Sequence, residues 1–188
     1  MHKENLSASE ALEKLKAGNQ RYLSATANPG DVSPKIRHKT CTEGQEPYAI
    51  VITCSDSRVI PESIFSAGIG ELFVIRVAGN VMDKHQLGSV EYAADHLGCN
   101  LVVVLGHDNC GAVGAAISDK PGGYVKYITD EILKAIGEEK DPLKASCLNA
   151  KKAAQIIKES LDIKEGEGPT VCSAVYHIDS GEVEFLDK

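Results

Sequence analysis

The sequence predicts an α/β domain whose mostly parallel sheet has about four strands, an additional antiparallel edge strand and flanking α-helices. Three short apolar runs are rich in β-branched residues and lack the polar alternation of half-exposed strands, which is typical of strands covered on both faces. Segments with apolar residues at helical spacing lie between the later strand-like runs. Two more such runs near the C-terminus flank a sequence typical of a β-hairpin turn. Hydrophobic residues make up 43% of the 188 residues, so we expect a single domain over residues 1–188.

The first predicted element is an amphipathic helix over residues 8–23. Ser7 and Glu10 have the spacing of a capping box at its start. Apolar side chains recur along one helical face, namely Ala8, Leu12, Leu15 and Tyr22. The polar segment over residues 28–47 contains Pro and Gly and is too long for a simple connector, so we expect it to lie along a surface or a partner chain.

Strands and helices then alternate along the chain. Strands are predicted over residues 48–53, 72–77, 101–105, 170–177 and 182–186. Helices are predicted over residues 86–97, 122–137 and 143–161, with Pro142 at the first turn of the last one. Cys110-Gly111 opens another helix, and Asp179-Ser-Gly181 indicates a hairpin between the last two strands.

Charge and composition exclude several classes of function. The formal net charge is −7 and no Lys/Arg cluster is present, which argues against nucleic acid or an anionic membrane surface as a partner. The first residues contain no apolar segment and the longest apolar runs are strand-length, so we expect a cytoplasmic protein without membrane insertion. In that compartment the six cysteines are better interpreted as ligands, core residues or redox groups than as disulfides.

Two short segments carry the chemistry of the chain. Cys54-Ser-Asp56-Ser-Arg58 follows one predicted strand, and His107-x-x-Cys110 follows another. If these strands are parallel neighbours, their carboxyl ends bring both segments to one edge of the sheet. Two thiolates and an imidazole favour zinc. Three protein ligands with an undecided fourth position are typical of a catalytic zinc site, whereas four ligands close a structural one.

A carboxylate and a guanidinium lie beside these ligands. Asp56 is placed to orient a zinc-bound hydroxide, and Arg58 can hold Asp56 in a bidentate pair that keeps the carboxyl pKa low. Asp56 could instead ligate zinc once Arg58 releases it, so the pair could act as catalyst and as switch. The helix that begins at Gly111 would lower the pKa of the Cys110 thiol through its positive dipole end.

Several separated motifs resemble the β-class carbonic anhydrases, in the order in which that family has them. They are Cys-Ser-Asp-Ser-Arg-Val over residues 54–59, His-x-x-Cys-Gly over residues 107–111, Glu71 to Asn80, and Gly88 to Tyr92. The resemblance implies reversible hydration of CO2 to bicarbonate and a proton by zinc-bound hydroxide, with one Zn2+ per chain. It implies Cys54, His107 and Cys110 as ligands, Asp56 as orienting base or occasional fourth ligand, and Arg58 as its partner.

The resemblance also implies a substrate pocket and an oligomer. Gln45 corresponds to a glutamine that hydrogen-bonds substrate oxygen, and Gly111 would offer its backbone N–H to the substrate. Phe73 and Tyr92 correspond to apolar pocket residues that the neighbouring subunit supplies in one branch of the family, and Ala78 to a pocket wall. A homodimer or a dimer of dimers follows, with residues 1–46 as an N-terminal helix and arm that packs on the partner subunit.

One departure from the family and several alternatives bear on this interpretation. One branch of the family builds an inhibitory bicarbonate pocket with a tryptophan, where this chain has Val51 and no tryptophan at all, so we do not expect that regulation. A cysteine phosphatase would need an arginine at position 60, which is Ile60, and neither nucleotide-binding glycine motif is present. A zinc-dependent hydrolase of CS2 or COS and a non-catalytic, zinc-stabilised binding module remain open.

Overall fold

The computed structural model describes residues 5–118, 121–161 and 168–187. Five strands form one sheet: β1 (Ala49–Thr53), β2 (Leu72–Arg76), β3 (Leu101–His107), β4 (Thr170–Tyr176) and β5 (Val183–Phe185). Their spatial order is β2-β1-β3-β4-β5. The first four strands are parallel, and β5 pairs antiparallel with β4. The predicted fold class and the C-terminal hairpin are therefore confirmed.

Helices cover both faces of this sheet. They are α1 (Ala8–Tyr22), α2 (Pro34–Glu43), α3 (Pro61–Ile64), α4 (Lys84–Leu97), α5 (Gly111–Ser118), α6 (Val125–Ile136) and α7 (Pro142–Ser160). A 3-10 turn over Ala78–Asn80 follows β2. Among the described residues, none of the helices combines the length and the apolar character needed to cross a membrane.

The caps that start the helices follow from the local sequence. The Ser7–Glu10 capping box of α1 is present as predicted, and Asp83 with Gln86 forms a second capping box at α4. Helix α2 was not predicted within the 28–47 segment, although Ser33 caps it and Pro34 is its first residue. Periodicity could not reveal it, because none of its residues is buried.

Alternation along the strands divides the core into two layers. Val51 and Val103 pack with Leu15 of α1 on one face, whereas Ile52 and Val104 pack with α4 and α7 on the other. All residues of β1 and β3 are buried. Strand β2, which was expected to be covered on both faces, is only partly buried because it is the edge strand of the sheet.

Candidate metal centre

Neighbouring parallel strands bring the predicted ligands together. Thr53 of β1 pairs in register with Leu105 of β3, so Cys54 continues beside the end of β3. His107 is itself the last residue of β3, two residues beyond the predicted end of that strand, because pairing with β4 extends to this position. The chain then turns through Asn109 in the left-handed region (φ 49°), which places Cys110 directly before α5.

The candidate metal centre consists of Cys54, His107 and Cys110. Their ligand atoms all lie within 4.8 Å of one another, and all three side chains are buried. The backbone carbonyl of Asp108 accepts a hydrogen bond from Nδ1 of His107 (2.7 Å), which leaves Nε2 as the ring nitrogen with a lone pair. Nε2 is buried and has no hydrogen-bond partner among the described residues. A buried lone pair beside two sulfurs fits a zinc ion as its missing partner.

The thiols of Cys54 and Cys110 have pKa values shifted in opposite directions. A hydrogen bond with Cys110 lowers the pKa of Cys54, and the backbone N–H of Gly79 acts in the same direction. The hydrogen bond with Cys54, followed by burial, raises the pKa of Cys110. The N–H groups at the start of α5 lower the pKa of Cys110, as predicted, but the hydrogen bond with Cys54 and burial outweigh them. A thiolate at Cys54 is available to a metal at neutral pH.

Asp56 and Arg58 form a closely held pair beside these ligands. Oδ1 of Asp56 accepts hydrogen bonds from the backbone N–H and Nε of Arg58 (2.9 Å each), and Oδ2 accepts one from Nη2 (2.7 Å). These hydrogen bonds hold the pKa of the Asp56 carboxyl well below its usual range. Oδ2 also lies 4.0 Å from Nε2 of His107, so the carboxylate borders the ligand cluster as an ionised group.

Sequence reasoning missed two groups that hold this site together. Arg76, at the end of β2, donates from Nε to the carbonyl of Cys54 (3.1 Å) and from Nη2 to the carbonyl of Asp56 (2.7 Å). The backbone N–H of Gly79 donates to Sγ of Cys54 (3.2 Å). The position of Arg76 at the end of β2, the strand beside β1, was the available signal, whereas nothing local to Gly79 points to the cysteine.

The predicted substrate residues divide into two groups in space. Ala78 belongs to the 3-10 turn that contacts Cys54, and Gly111 follows Cys110, where an added Cβ would meet open space. By contrast, Gln45 and Tyr92 line a groove of about 940 Å³, in which none of the three candidate ligands takes part. The ring of Phe73 lies 6.1 Å from that of Tyr92. Within one chain, Gln45, Phe73 and Tyr92 therefore form a cluster separate from the metal centre.

Known proteins resemble this chain in both sequence and structure. The family model described as carbonic anhydrase matches residues 49–183. "Carbonic anhydrase 2" of Mycobacterium tuberculosis is 42% identical over 132 residues, which are 67% of this chain and 63% of that protein. The carbonic anhydrase of Mycolicibacterium smegmatis is 37% identical over 191 residues, with 93% of this chain and 91% of that protein covered.

A solved structure of a tetrameric β-carbonic anhydrase from the ascomycete Sordaria macrospora superposes with a TM-score of 0.69. It is 25% identical and covers 82% of this chain and 88% of that one. The matched family region contains the three candidate ligands, the Asp56–Arg58 pair and the four parallel strands. The chain therefore belongs to the carbonic anhydrase family, and the architecture of its sheet is that of the β class.

Proposed function

We propose that this protein catalyses the reversible hydration of CO2 to bicarbonate and a proton, with one Zn2+ per chain held by Cys54, His107 and Cys110. The observation that carries the proposal is the buried cluster of two sulfurs and an imidazole nitrogen that has no hydrogen-bond partner among the described residues, with an ionised carboxylate at its border. A zinc ion bound there would acidify a water molecule and polarise it as a nucleophile for CO2.

Asp56 would orient that nucleophile. The carboxylate is acceptor-only, because Arg58 keeps it ionised, so the O–H group of the nucleophile must donate the hydrogen bond between them. Accepting that hydrogen directs an oxygen lone pair of the nucleophile away from Asp56 and towards the substrate. Arg58 is anchored in turn by Nη2, which donates to the carbonyl of Asn109 (3.1 Å). The backbone N–H of Gly111 would donate to an oxygen of the bound CO2 and hold it in place.

The same pair could control access to the metal. Release of Asp56 by Arg58 would free a carboxylate oxygen to become the fourth ligand and close the site. We expect Arg58→Ala to favour this closed arrangement. An unchanged pH–rate profile in that variant would count against the switch.

The substrate pocket would be completed by a second copy of the chain. Gln45, Phe73 and Tyr92 lie away from the metal centre of their own chain, which is the placement expected of residues that serve a neighbouring subunit. Strand β2 is an edge strand beside that cluster, and Tyr92 is 47% exposed. The related Sordaria enzyme is tetrameric. We therefore propose a homodimer or a dimer of dimers. The N-terminal helix and arm would contact the partner through the side of α1 opposite Leu15, because the Leu15 face packs on the sheet of its own chain; the cytoplasmic location stays a prediction.

The decisive test measures zinc content and CO2 hydration on the same purified sample from about pH 7 to pH 9. We expect about one zinc per chain and hydration that rises with pH, as activation of water by zinc requires. Absence of bound zinc would contradict the metal centre. Bound zinc without hydration at any pH would contradict the proposed reaction, and assays with CS2 and COS would then separate a related hydrolase from a structural zinc site.

A further inference from the structure

The sulfur of Cys54 receives a hydrogen bond from a turn that is itself unusual. The N–H of Gly79 donates to Sγ of Cys54 at 3.2 Å in a buried environment. Gly79 (φ 67°) and Asn80 (φ 45°) both lie in the left-handed region. The conformation at position 79 favours glycine, and a Cβ there would also crowd Cδ1 of Ile132 (2.8 Å) and Cβ of Ala112 (3.1 Å). Such a turn persists only where its surroundings hold it.

A side chain from a distant helix holds this turn. Nδ2 of Asn149, in the middle of α7, donates to the carbonyl of Gly79 at 2.7 Å. Asn149 is 4% exposed and stands on a helix face otherwise rich in buried alanines, namely Ala145, Ala150, Ala153 and Ala154. A buried amide costs stability unless it is hydrogen-bonded. An apolar residue at position 149 would pack equally well, so the hydrogen bond to the Gly79 carbonyl explains why an amide is present there.

We infer that Asn149 is a positioning residue of the metal centre, which acts through the Gly79 peptide on the sulfur of Cys54. The inference rests on the proposed zinc site. By holding the Gly79 carbonyl, Asn149 fixes the rotation of the turn and so keeps the Gly79 N–H directed at Sγ. That hydrogen bond would favour Cys54 as the thiolate that binds a metal and hold its sulfur in place, so its loss should weaken metal binding. Groups in this outer shell typically change metal affinity or activity by about 10- to 100-fold.

The first test uses the cadmium-loaded protein, because cadmium has an NMR-active isotope and binds thiolates. In the wild-type protein we expect a scalar coupling between cadmium and the amide proton of Gly79, transmitted through the N–H···S hydrogen bond. The coupling reports this bond directly and needs no activity. Cadmium bound in the wild-type protein without that coupling would overturn the inference while leaving the metal site intact.

The second test compares Asn149→Leu with the wild-type protein. Leucine has a similar size and lacks the donor, so the Gly79 coupling should weaken or vanish and the Kd for cadmium, measured against a chromophoric chelator, should rise about 10- to 100-fold. Ser146→Ala is the matched control on the same helix, because Ser146 is buried and its Oγ has no hydrogen-bond partner among the described residues. We expect this control to behave as wild type in both measurements.

An unchanged coupling and an unchanged Kd in Asn149→Leu would overturn the role of Asn149. If Asn149→Leu does not fold, Asn149→Ala carries the same measurements, since alanine suits both the helix and the neighbouring alanine face. A wild-type protein that binds neither cadmium nor zinc would overturn the proposed metal centre itself, and the positioning role with it. The two failures are therefore distinguishable.

Discussion

The three candidate ligands are held by different parts of the backbone. Sγ of Cys54 receives the Gly79 N–H, Nδ1 of His107 donates to the carbonyl of Asp108, and Cys110 stands at the start of α5. Each side chain thus has its orientation set before any metal binds. Such preorganisation reduces the ordering that metal binding requires, so the metal affinity should depend on these holding contacts as well as on the donor atoms.

Replacement of a ligand sulfur should remove the metal. We expect Cys54→Ser to lose zinc, with a fall in affinity at least as large as the about 10- to 100-fold typical of outer-shell changes, because a hydroxyl is a far weaker zinc ligand than a thiolate. Zinc per chain is measured after dialysis, with Cys41→Ser as the control because Cys41 is exposed. Full zinc content and full activity in Cys54→Ser would refute the ligand assignment.

Asp56 should be needed for turnover and not for metal. We expect Asp56→Ala to retain about one zinc per chain and to lose hydration by about 100-fold or more, the scale of a lost acid–base or orienting group. The stopped-flow hydration rate is normalised to zinc content. Asp95→Ala, at an exposed position on α4, is the control. Wild-type turnover in zinc-loaded Asp56→Ala would eliminate Asp56 as the orienting group.

At the scale of elements, one buried amide joins three of them. Nδ2 of Asn19 in α1 donates to the carbonyls of Ile64 (3.2 Å) and Gly181 (2.9 Å), and its Oδ1 accepts from the N–H of Val183 (3.0 Å). The side chain therefore ties α1 to α3 and to the β4–β5 hairpin. The neighbouring Gly18 packs against the Phe65 carbonyl, where a Cβ would come within 2.0 Å.

Loss of this amide should weaken the whole domain. We expect Asn19→Ala to lower the free energy of unfolding by about 3 kcal/mol, because it leaves buried backbone groups without partners. Urea denaturation measures the change. Gln20→Ala on the exposed side of the same helix is the control and should be near neutral. Equal stability of the two variants would show that the Asn19 contacts do not hold α1 in place.

A second contact joins α1 to the chain just before β2 and should depend on pH. Burial raises the pKa of Glu71, but hydrogen bonds from Lys14 and from the Gly68 N–H outweigh it, and the net pKa is lowered. A carboxyl with a lowered folded pKa stabilises the fold above its ordinary pKa of 4.5 and loses that contribution as pH falls through the folded value.

Removal of the Glu71 charge tests this dependence. We expect Glu71→Gln to be less stable than wild type at neutral pH and to approach it as the pH falls below about 4, as the linkage requires. Urea midpoints measured across that range show the convergence. Glu13→Gln, in the exposed pair with Lys16, is the control. A stability difference that stays constant with pH would contradict the assignment.

At the scale of the whole molecule, we propose that two chains together form the active site. The groove lined by Gln45 and Tyr92 is separate from the metal centre, and β2 leaves one edge of the sheet without a neighbouring strand in the described chain. An edge strand beside exposed aromatic side chains is a surface that another chain can cover. A second copy placed there would bring its own Tyr92 and Gln45 to this chain.

A charge at this surface should separate the subunits. We expect Tyr92→Glu to shift the mass measured by light scattering from a dimer or larger towards a monomer, and to lower CO2 hydration at least about 10-fold with zinc retained, because burial of an unpaired carboxylate opposes association. Tyr127→Glu, at a 72% exposed position on α6, is the control. A monomer with full activity would show that the pocket is complete within one chain.

Local patterns sufficed where the physics is local. The capping box of α1 and the β-branched runs of β1 and β3 predicted those elements, because caps and burial on two faces leave a mark within a few residues. Helix α2 was not predicted because it has no apolar face. The 3-10 turn was not predicted because three residues are too few to show a periodicity. The pairing of Asp56 with Arg58 was predictable because the two residues are two positions apart.

The sequence by itself determined the fold class, the family and the identity of the donor atoms, since residue types and their spacing are properties of the chain. Only the tertiary structure decided how those atoms are held. Arg76 donates hydrogen bonds to the loop after β1, and Asn149 donates one to Gly79, 70 residues away along the chain. Both contacts depend on the packing of distant elements against the sheet. The separation of Tyr92 from the metal centre is likewise a distance in the folded protein, and the spacing of residues along the chain does not determine it.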